Sequence, residues 1–132
     1  MSRSLGGFSS LPLMEPVLVY HNPSCSKSRG ALDILREQAV AVDVVEYLKA
    51  PPDRASLERI VDAISDPPEM LVRKDKRFKE LGLDASGYTT RAAVVDLLLE
   101  HPELMERPVV FRGERAVIAR PSERVAELGI GT

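Results

Sequence analysis

The chain is poor in cysteine: Cys25 is the only one among its 132 residues. A single thiol forms no disulfide within the chain. The chain also offers no second thiol to resolve a disulfide that Cys25 makes with another molecule. These properties suit a reducing compartment, so we expect a cytoplasmic location.

Other absences narrow the class of protein further. No apolar run approaches the length of about 18 residues that a membrane-spanning helix needs, and tryptophan is missing. The formal net charge of −2 gives no bulk attraction to nucleic acid or to an anionic membrane. His21 and His101 lie far apart and form no metal site of recognisable spacing with Cys25. We therefore expect a globular domain that binds neither nucleic acid, membrane nor metal.

Residues 1–14 are rich in serine, glycine and leucine, and they lack the basic start and long apolar core of a secretory signal. We expect them to form a flexible leader. Residues 15–132 are expected to fold as a single domain, since this length supports one hydrophobic core. No feature marks an obligate interface, so we expect a monomer.

The first third of the domain has the pattern of a strand, a helix and a second strand. Residues 17–20 form a short apolar run typical of a buried strand. A helix is predicted over residues 26–38 and a strand over residues 40–46. Gly30 costs about 1 kcal/mol inside a helix relative to alanine, which indicates that another part of the chain approaches its backbone. This order favours a parallel strand pair with a right-handed crossover.

The middle of the chain predicts a helical insert over residues 53–101, with Asp53 and either Thr89 or Thr90 as helix caps. Strands return in the last third, where residues 108–111 and 115–119 flank a glycine turn and predict a hairpin. A closing helix is predicted from residue 121, with Gly129 as its end. The order βαβ, helices, ββα predicts an α/β domain with a mixed four-stranded sheet and helices on its faces.

Cys25 stands in a polar turn, between the first predicted strand and the first predicted helix. Backbone N–H groups and the positive end of a helix dipole favour a thiolate there, and Lys27 and Arg29 add positive charge. A lone cysteine is often a small buried hydrophobic residue, but the polar neighbours make this turn a poor place for a core side chain. We predict that Cys25 is a reactive nucleophile.

Several segments of the chain resemble the ArsC-type arsenate reductases, a family linked to glutaredoxin and glutathione. They are residues 20–29 (YHNPSCSKSR), 71–74 with 80–83, 101–110 (HPELMERPVV) and 119–123 (ARPSE). Residues 25–29 have the Cys-Ser-Lys-Ser-Arg form of one subgroup. The resemblance runs from about residue 16 to residue 128. It implies a thioredoxin-like fold with a helical insert, and a cis peptide bond before Pro108.

The resemblance also implies an enzyme that reduces arsenate to arsenite. The family's nucleophile maps to Cys25, and its three oxyanion-binding arginines map to Arg73, Arg107 and Arg120. Glutathione is expected as co-substrate and glutaredoxin as partner, with no bound cofactor. The chemistry is consistent, because guanidinium groups stay charged, pair with oxyanion oxygens and offset the repulsion between a thiolate and a dianion.

Three of the candidate site residues keep a second interpretation. Arg73 lies in a charged run that is also typical of an exposed helix face. His21 either stabilises the thiolate as an imidazolium or only shapes the turn. Ser28 either donates a hydrogen bond to the sulfur or bonds the preceding helical turn. His21 and Ser28 are candidate thiolate-stabilising residues on the first of these readings.

Two other functions stay open. A glutathione-dependent thiol–disulfide oxidoreductase on the same scaffold needs Cys25 but not three arginines. The Spx-type transcription regulators resemble this family in fold and bind RNA polymerase, usually with a Cys-x-x-Cys switch. Ser28 stands at the second position of that motif here, which excludes an internal disulfide switch.

Overall fold

A computed structural model of the protein describes residues 16–130, so the expected leader lies outside the described residues. The strands are β1 (Val17–His21), β2 (Val42–Glu46), β3 (Val109–Arg112) and β4 (Arg115–Ile118). The α-helices are α1 (Ser26–Glu37), α2 (Arg54–Ala63), α3 (Lys76–Glu80) and α4 (Arg91–Glu100). Short 3₁₀ segments occupy Pro68–Leu71, Ala85–Gly87, Pro102–Leu104 and Ser122–Leu128.

The four strands form one sheet in the order β2-β1-β3-β4. β1 and β2 are parallel, with α1 as the crossover between them, whereas β1 with β3 and β3 with β4 are antiparallel. The mixed four-stranded sheet predicted from the sequence is therefore confirmed. β1 is an inner strand, so its last residues enter the turn before α1 from the middle of the sheet.

The two faces of the sheet are covered by different helices, which follows from the period of two along each strand. Val17 and Val19 of β1 pack in the cluster that includes α1 residues and Val125. Tyr20 points the other way, into the cluster formed by the helices of the insert. Each face thus has its own core, and β1 contributes to both.

The helices between β2 and β3 begin at polar caps, as predicted. Asp53 accepts a hydrogen bond from the Ser56 N–H at 2.8 Å, and Thr90 accepts one from the Ala93 N–H at 3.2 Å. α4 contributes four buried side chains to the core, Val94, Val95, Leu97 and Leu98. Full burial of one such side chain is worth roughly 1.5–3 kcal/mol. Helical structure continues beyond the predicted end at residue 101 as the turn Pro102–Leu104.

The closing segment differs from its prediction in helix type. Ser122–Leu128 is a 3₁₀ helix, and Gly129 ends it with a left-handed φ of 78°. This segment packs beside α1, and its Ser122 hydroxyl donates a hydrogen bond to the Lys27 carbonyl oxygen at 3.1 Å. Gly30 lies directly under the contact, since a Cβ at this position would stand 2.9 Å from Ser122 Oγ. The predicted close approach at Gly30 is confirmed.

We expect Gly30→Ala to stabilise the protein less than its helical position suggests. Alanine gains about 1 kcal/mol over glycine in a helix, but here the Ser122 hydroxyl must turn away and lose a hydrogen bond worth about 0.5–1.5 kcal/mol. Urea unfolding of G30A, S122A and the double variant measures the coupling. The alanine should give its full gain only in the S122A background. Equal effects in both backgrounds would show that the contact has no energetic weight.

Candidate active site

Cys25 lies immediately before α1, at the end of a turn that is closed by its own hydrogen bonds. The Cys25 N–H donates to the Asn22 carbonyl at 3.0 Å, and the Ser24 N–H donates to Asn22 Oδ1 at 2.9 Å. From the helix, Arg29 Nη1 donates to the Pro23 carbonyl at 2.9 Å. Asn22 therefore braces the turn, and the thiol is held in place while partly exposed.

The position at the helix N-terminus makes the thiol acidic. Burial alone would raise the pKa of Cys25, but the Ser28 N–H, the Arg107 side chain and the Lys27 N–H stabilise the thiolate. Together they bring the pKa of Cys25 down to about 7, well below the ordinary value for a cysteine. The thiolate, which is the nucleophilic form, is therefore far more available at neutral pH than in an ordinary cysteine.

Two arginines from the hairpin lie at the sulfur. Arg120 Nη1 is 3.7 Å from Cys25 Sγ and also donates to the Arg107 carbonyl at 3.1 Å. The hairpin brings them together, because Arg107 precedes β3 and Arg120 follows β4, and antiparallel partners begin and end at the same edge. The Ala119 N–H to Pro108 carbonyl bond, 2.9 Å long, extends this pairing to the two arginines.

Both of these arginines precede a proline in a cis peptide bond. The Arg107–Pro108 bond is cis, as the family resemblance implies, and this prediction is confirmed. The Arg120–Pro121 bond is also cis, which the sequence analysis did not predict. The Arg107 Nε atom is buried and has no hydrogen-bond partner among residues 16–130.

Arg73 reaches the same region from the insert, by way of a short bridge between two loops. Val72 and Met105 form an isolated antiparallel bridge, flanked by hydrogen bonds from the Arg73 N–H to the Leu104 carbonyl and from the Glu106 N–H to the Leu71 carbonyl, each 2.7 Å. Arg73 is four-fifths buried, so it does not lie on an exposed helix face. Its guanidinium is ion-paired with Asp75 at 3.2 Å and with Glu106 at 3.1 Å.

Glu106 links the arginines to one another. The oxygen that pairs with Arg73 Nη1 also lies 3.6 Å from Arg120 Nε. Arg73 is therefore linked to Arg120 by this carboxylate, whereas Arg107 has no carboxylate within ion-pairing distance among the described residues. The three predicted arginines form one connected cluster with Glu106, and Arg107 and Arg120 are the two beside the sulfur.

His21 lies at the end of β1 and is buried, with 6% of its surface exposed. Burial lowers its pKa, Glu46 opposes this, and Arg36 and Arg29 lower the pKa further. The neutral imidazole is thus favoured at neutral pH, and His21 is not among the groups that lower the pKa of Cys25. His21 Nδ1 is buried without a hydrogen-bond partner among residues 16–130, so both interpretations of His21 stay predictions.

Ser28 acts on the sulfur through its backbone. Its N–H is the leading contributor that lowers the pKa of Cys25. Its side chain is fully buried, and the hydroxyl oxygen accepts a hydrogen bond from the Asn22 N–H at 3.3 Å. The main-chain N–H of Ser28 thus stabilises the thiolate, and the hydroxyl ties the helix to the turn. A hydrogen bond from the hydroxyl to the sulfur stays a prediction.

Sequence reasoning missed two residues of the cluster, Glu106 and Tyr47. The Tyr47 side chain is completely buried, and its hydroxyl donates to the Met105 carbonyl at 3.4 Å. Burial raises the pKa of Tyr47, while the charges of Arg107 and Arg73 and a hydrogen bond with Asn22 act in the opposite direction, so the phenol interacts with two of the three arginines. A tyrosine just after an edge strand gives no sequence signal for such a role.

Two other features bear on the kind of site. His101 caps the C-terminal end of α4, and its Nδ1 lies 3.1 Å from Glu103. Across residues 16–130, no group of three His, Cys, Asp or Glu side chains is arranged to hold a metal ion. Within the same residues, no helix is both long and apolar enough to cross a membrane.

The sequence of this chain is similar to one protein-family model and to several known bacterial proteins. The model of the ArsC family matches residues 20–128. The chain is 39% identical over 114 residues to the arsenate reductase of Neisseria meningitidis, covering 85% of this chain and 97% of the relative. It is 37% identical over 118 residues to the uncharacterized protein YfgD of Escherichia coli, covering 88% and 98%.

A solved structure agrees with the fold. The arsenate reductase from Vibrio cholerae superposes with a TM-score of 0.77 at 35% sequence identity, covering 86% of this chain and 98% of that one. The match to the family model includes Cys25 and all three arginines of the cluster, and the sheet and insert agree with the neighbour's thioredoxin-like fold. The chain belongs to the ArsC family.

Proposed function

We propose that this protein reduces arsenate to arsenite, with Cys25 as the nucleophile and with electrons supplied by glutathione and glutaredoxin. The observation that carries the proposal is an acidic thiol, pKa about 7, whose sulfur lies 3.7 Å from Arg120 and beside Arg107. Relatives at 39% identity are named arsenate reductases, which supports the same chemistry. We further place the chain in the subgroup with Cys-Ser-Lys-Ser-Arg at residues 25–29.

The arginines supply the positive charge that lets a thiolate approach the arsenate anion. Arsenate carries about two negative charges near neutral pH, as phosphate monoesters do, and a bare thiolate repels it. Arg107 has a buried Nε without a partner in the described part of the chain, and no carboxylate pairs with its guanidinium. Arg120 reaches the sulfur itself. An oxyanion bound between these two guanidiniums has its arsenic next to Sγ, and the positive charge offsets the repulsion.

The proposed reaction balances as follows. The Cys25 thiolate attacks arsenic, an S–As bond forms, and an arsenate oxygen leaves as water after taking up protons. A glutathione thiolate then attacks the Cys25 sulfur. An S–S bond forms, the S–As electron pair stays on arsenic, and arsenic is reduced from the +5 to the +3 state and leaves as arsenite. The two electrons come from the two sulfurs, which end as a mixed disulfide.

Recovery of the thiolate needs an external thiol, because Cys25 is the only cysteine of the chain. A glutaredoxin thiolate that attacks the glutathione sulfur of the mixed disulfide releases Cys25 as thiolate, the better leaving group at its pKa of about 7. We propose that this occurs in the cytoplasm, where thiols are kept reduced, and that the protein acts as a monomer.

A coupled assay tests the function. Purified protein is mixed with arsenate, glutathione, glutaredoxin, glutathione reductase and NADPH, and the loss of NADPH absorbance is followed. We expect oxidation that requires arsenate, glutathione and this protein together, with arsenite as the product. With glutaredoxin left out, arsenate absent and a small disulfide supplied, NADPH oxidation that requires this protein would favour the thiol–disulfide exchanger instead.

One observation favours that second candidate. Arg73 is paired with Asp75 through Nε and with Glu106 through Nη1, which leaves fewer free donors for an oxyanion than three arginines suggest. A disulfide exchanger needs only the acidic thiol and an approach path for glutathione. Formation of a Cys25–glutathione adduct from oxidised glutathione, seen as a mass increase without arsenate, would identify this activity.

A further inference from the structure

Glu106 is the one carboxylate that pairs with two of the three arginines around Cys25 in the described part of the chain. Its Oε1 lies 3.1 Å from Arg73 Nη1 and 3.6 Å from Arg120 Nε. All three side chains are partly buried, with 20–31% exposure, so water screens their interactions less than it screens pairs on the open surface. The carboxylate holds donors that an incoming oxyanion also needs.

The position of Glu106 is fixed by the backbone. The bridge between Val72 and Met105 sets the Leu71 carbonyl against the Glu106 N–H and the Leu104 carbonyl against the Arg73 N–H. Glu106 also directly precedes Arg107, whose guanidinium lies beside the sulfur. Two main-chain hydrogen bonds fix Glu106 on one side, and the hairpin fixes it on the other. Its position beside the arginines is therefore set by the fold.

The charges of the cluster nearly cancel before any substrate arrives. Three guanidiniums face the carboxylates of Asp75 and Glu106 and the thiolate of Cys25. A dianion that enters a cluster of about zero net charge gains far less than one that enters a cluster of three free cations. A like charge that stands next to a bound anion weakens the binding of that anion.

We propose that Glu106 is an internal competitor for the oxyanion site, which a tetrahedral dianion must displace from Arg73 and Arg120 before it binds. The inference rests on the proposed function only in taking a tetrahedral dianion as the ligand. Glu106 keeps the resting cluster neutral and lowers its affinity for every anion of that shape, inorganic phosphate included. An anion that reacts with the thiolate is captured by the reaction, whereas phosphate only binds and leaves.

The direction of the effect separates this role from a structural one. If Glu106 only held Arg73 and Arg120 in place, its removal would loosen the arginines and weaken anion binding. If Glu106 competes with the anion, its removal frees the donors and strengthens anion binding. Glu106→Gln keeps the shape of the side chain and removes the charge.

The experiment measures binding without turnover. Arsenate and, separately, inorganic phosphate are titrated by calorimetry at low ionic strength into C25S and into C25S/E106Q. We expect C25S/E106Q to bind both anions at least about tenfold more tightly than C25S. C25S/E58Q is the matched control, since Glu58 forms an exposed ion pair with Arg91 on the helices of the insert, and its affinity should stay within about twofold.

Equal or weaker binding by C25S/E106Q, or no binding by either protein, would overturn the inference. Thermal melting of each variant shows that it is folded. A second readout uses E106Q with Cys25 intact: loss of the nearby negative charge should move the pH midpoint of iodoacetamide alkylation below that of the unsubstituted protein. Neither measurement depends on arsenate turnover, so a failure of the proposed function leaves both results interpretable.

Discussion

Cys25→Ser abolishes arsenate-dependent NADPH oxidation in the coupled assay, with an expected loss on the order of 10³-fold or more. A serine hydroxyl stays protonated at neutral pH, whereas the lowered pKa of the Cys25 thiol, about 7, makes the thiolate available there. Serine also forms no S–S bond with glutathione, so the two electrons that reduce arsenic cannot be supplied. The measurement is the initial rate of NADPH loss with saturating glutathione and glutaredoxin.

Ser24→Ala is the control for this substitution. Ser24 is exposed in the same turn, and the turn uses its backbone N–H, which bonds Asn22 Oδ1. Its alanine variant should retain the unsubstituted rate within about twofold, since exposed substitutions of this kind cost little. Residual arsenate-dependent turnover by folded C25S would show that the sulfur is not the nucleophile.

Arg107→Ala is expected to have the second largest effect, and it should change two separate measurements. The Arg107 side chain is one of the groups that bring the pKa of Cys25 down to about 7, so its loss moves that pKa up towards the ordinary value. Since alkylation by iodoacetamide requires the thiolate, its rate should be half-maximal near pH 7 in the unsubstituted protein and at higher pH in R107A. Arsenate turnover, as kcat/KM, should fall by about 10²-fold or more, because a charged donor to the oxyanion is also lost.

Arg107→Lys separates charge from geometry. A lysine restores one positive charge near the sulfur but not the planar pair of donors, so R107K should recover more of the alkylation midpoint than of the arsenate kcat/KM. Lys27→Ala is the matched control, because it removes an exposed charge from the first turn of α1 and keeps the Lys27 N–H that faces the sulfur. An alkylation midpoint that shifts as far in K27A as in R107A would rule out a specific role for Arg107.

Much of the scaffold around the sulfur follows from short-range patterns. Residues 17–20 predict β1 and residues 26–38 predict α1 with only small errors at the ends, because hydrophobic period and polar turn agree there. Gly30 signals the contact with Ser122 in advance, since glycine is costly in a helix unless space requires it. The position of Cys25 at the N-terminus of α1 can also be predicted, because the polar turn and the start of the helical period fix where the helix begins.

The parts of the site that the sequence does not predict depend on contacts between residues far apart in the chain. Val72 and Met105 pair over a single bridge, too short to leave a periodic pattern, yet this bridge sets Arg73 beside Glu106. From the sequence alone, Glu106 is an ordinary polar residue before Arg107. Tyr47 follows an edge strand, and its burial depends on the helices of the insert that cover it. The resemblance to a family supplied the arginines, which the physical pattern of the sequence did not distinguish from other surface charges.

The pleat of β1 sets a limit on how the chain can vary in length during evolution. Val19 faces α1 and Tyr20 faces the insert, so a single inserted residue inside β1 would exchange the two faces and carry the sulfur to the wrong side of the sheet. The exposed turns between α3 and α4 carry no residue of the thiol cluster. Insertions and deletions in descendants of this chain should therefore accumulate in the exposed residues 84–87 and be eliminated between residues 17 and 25.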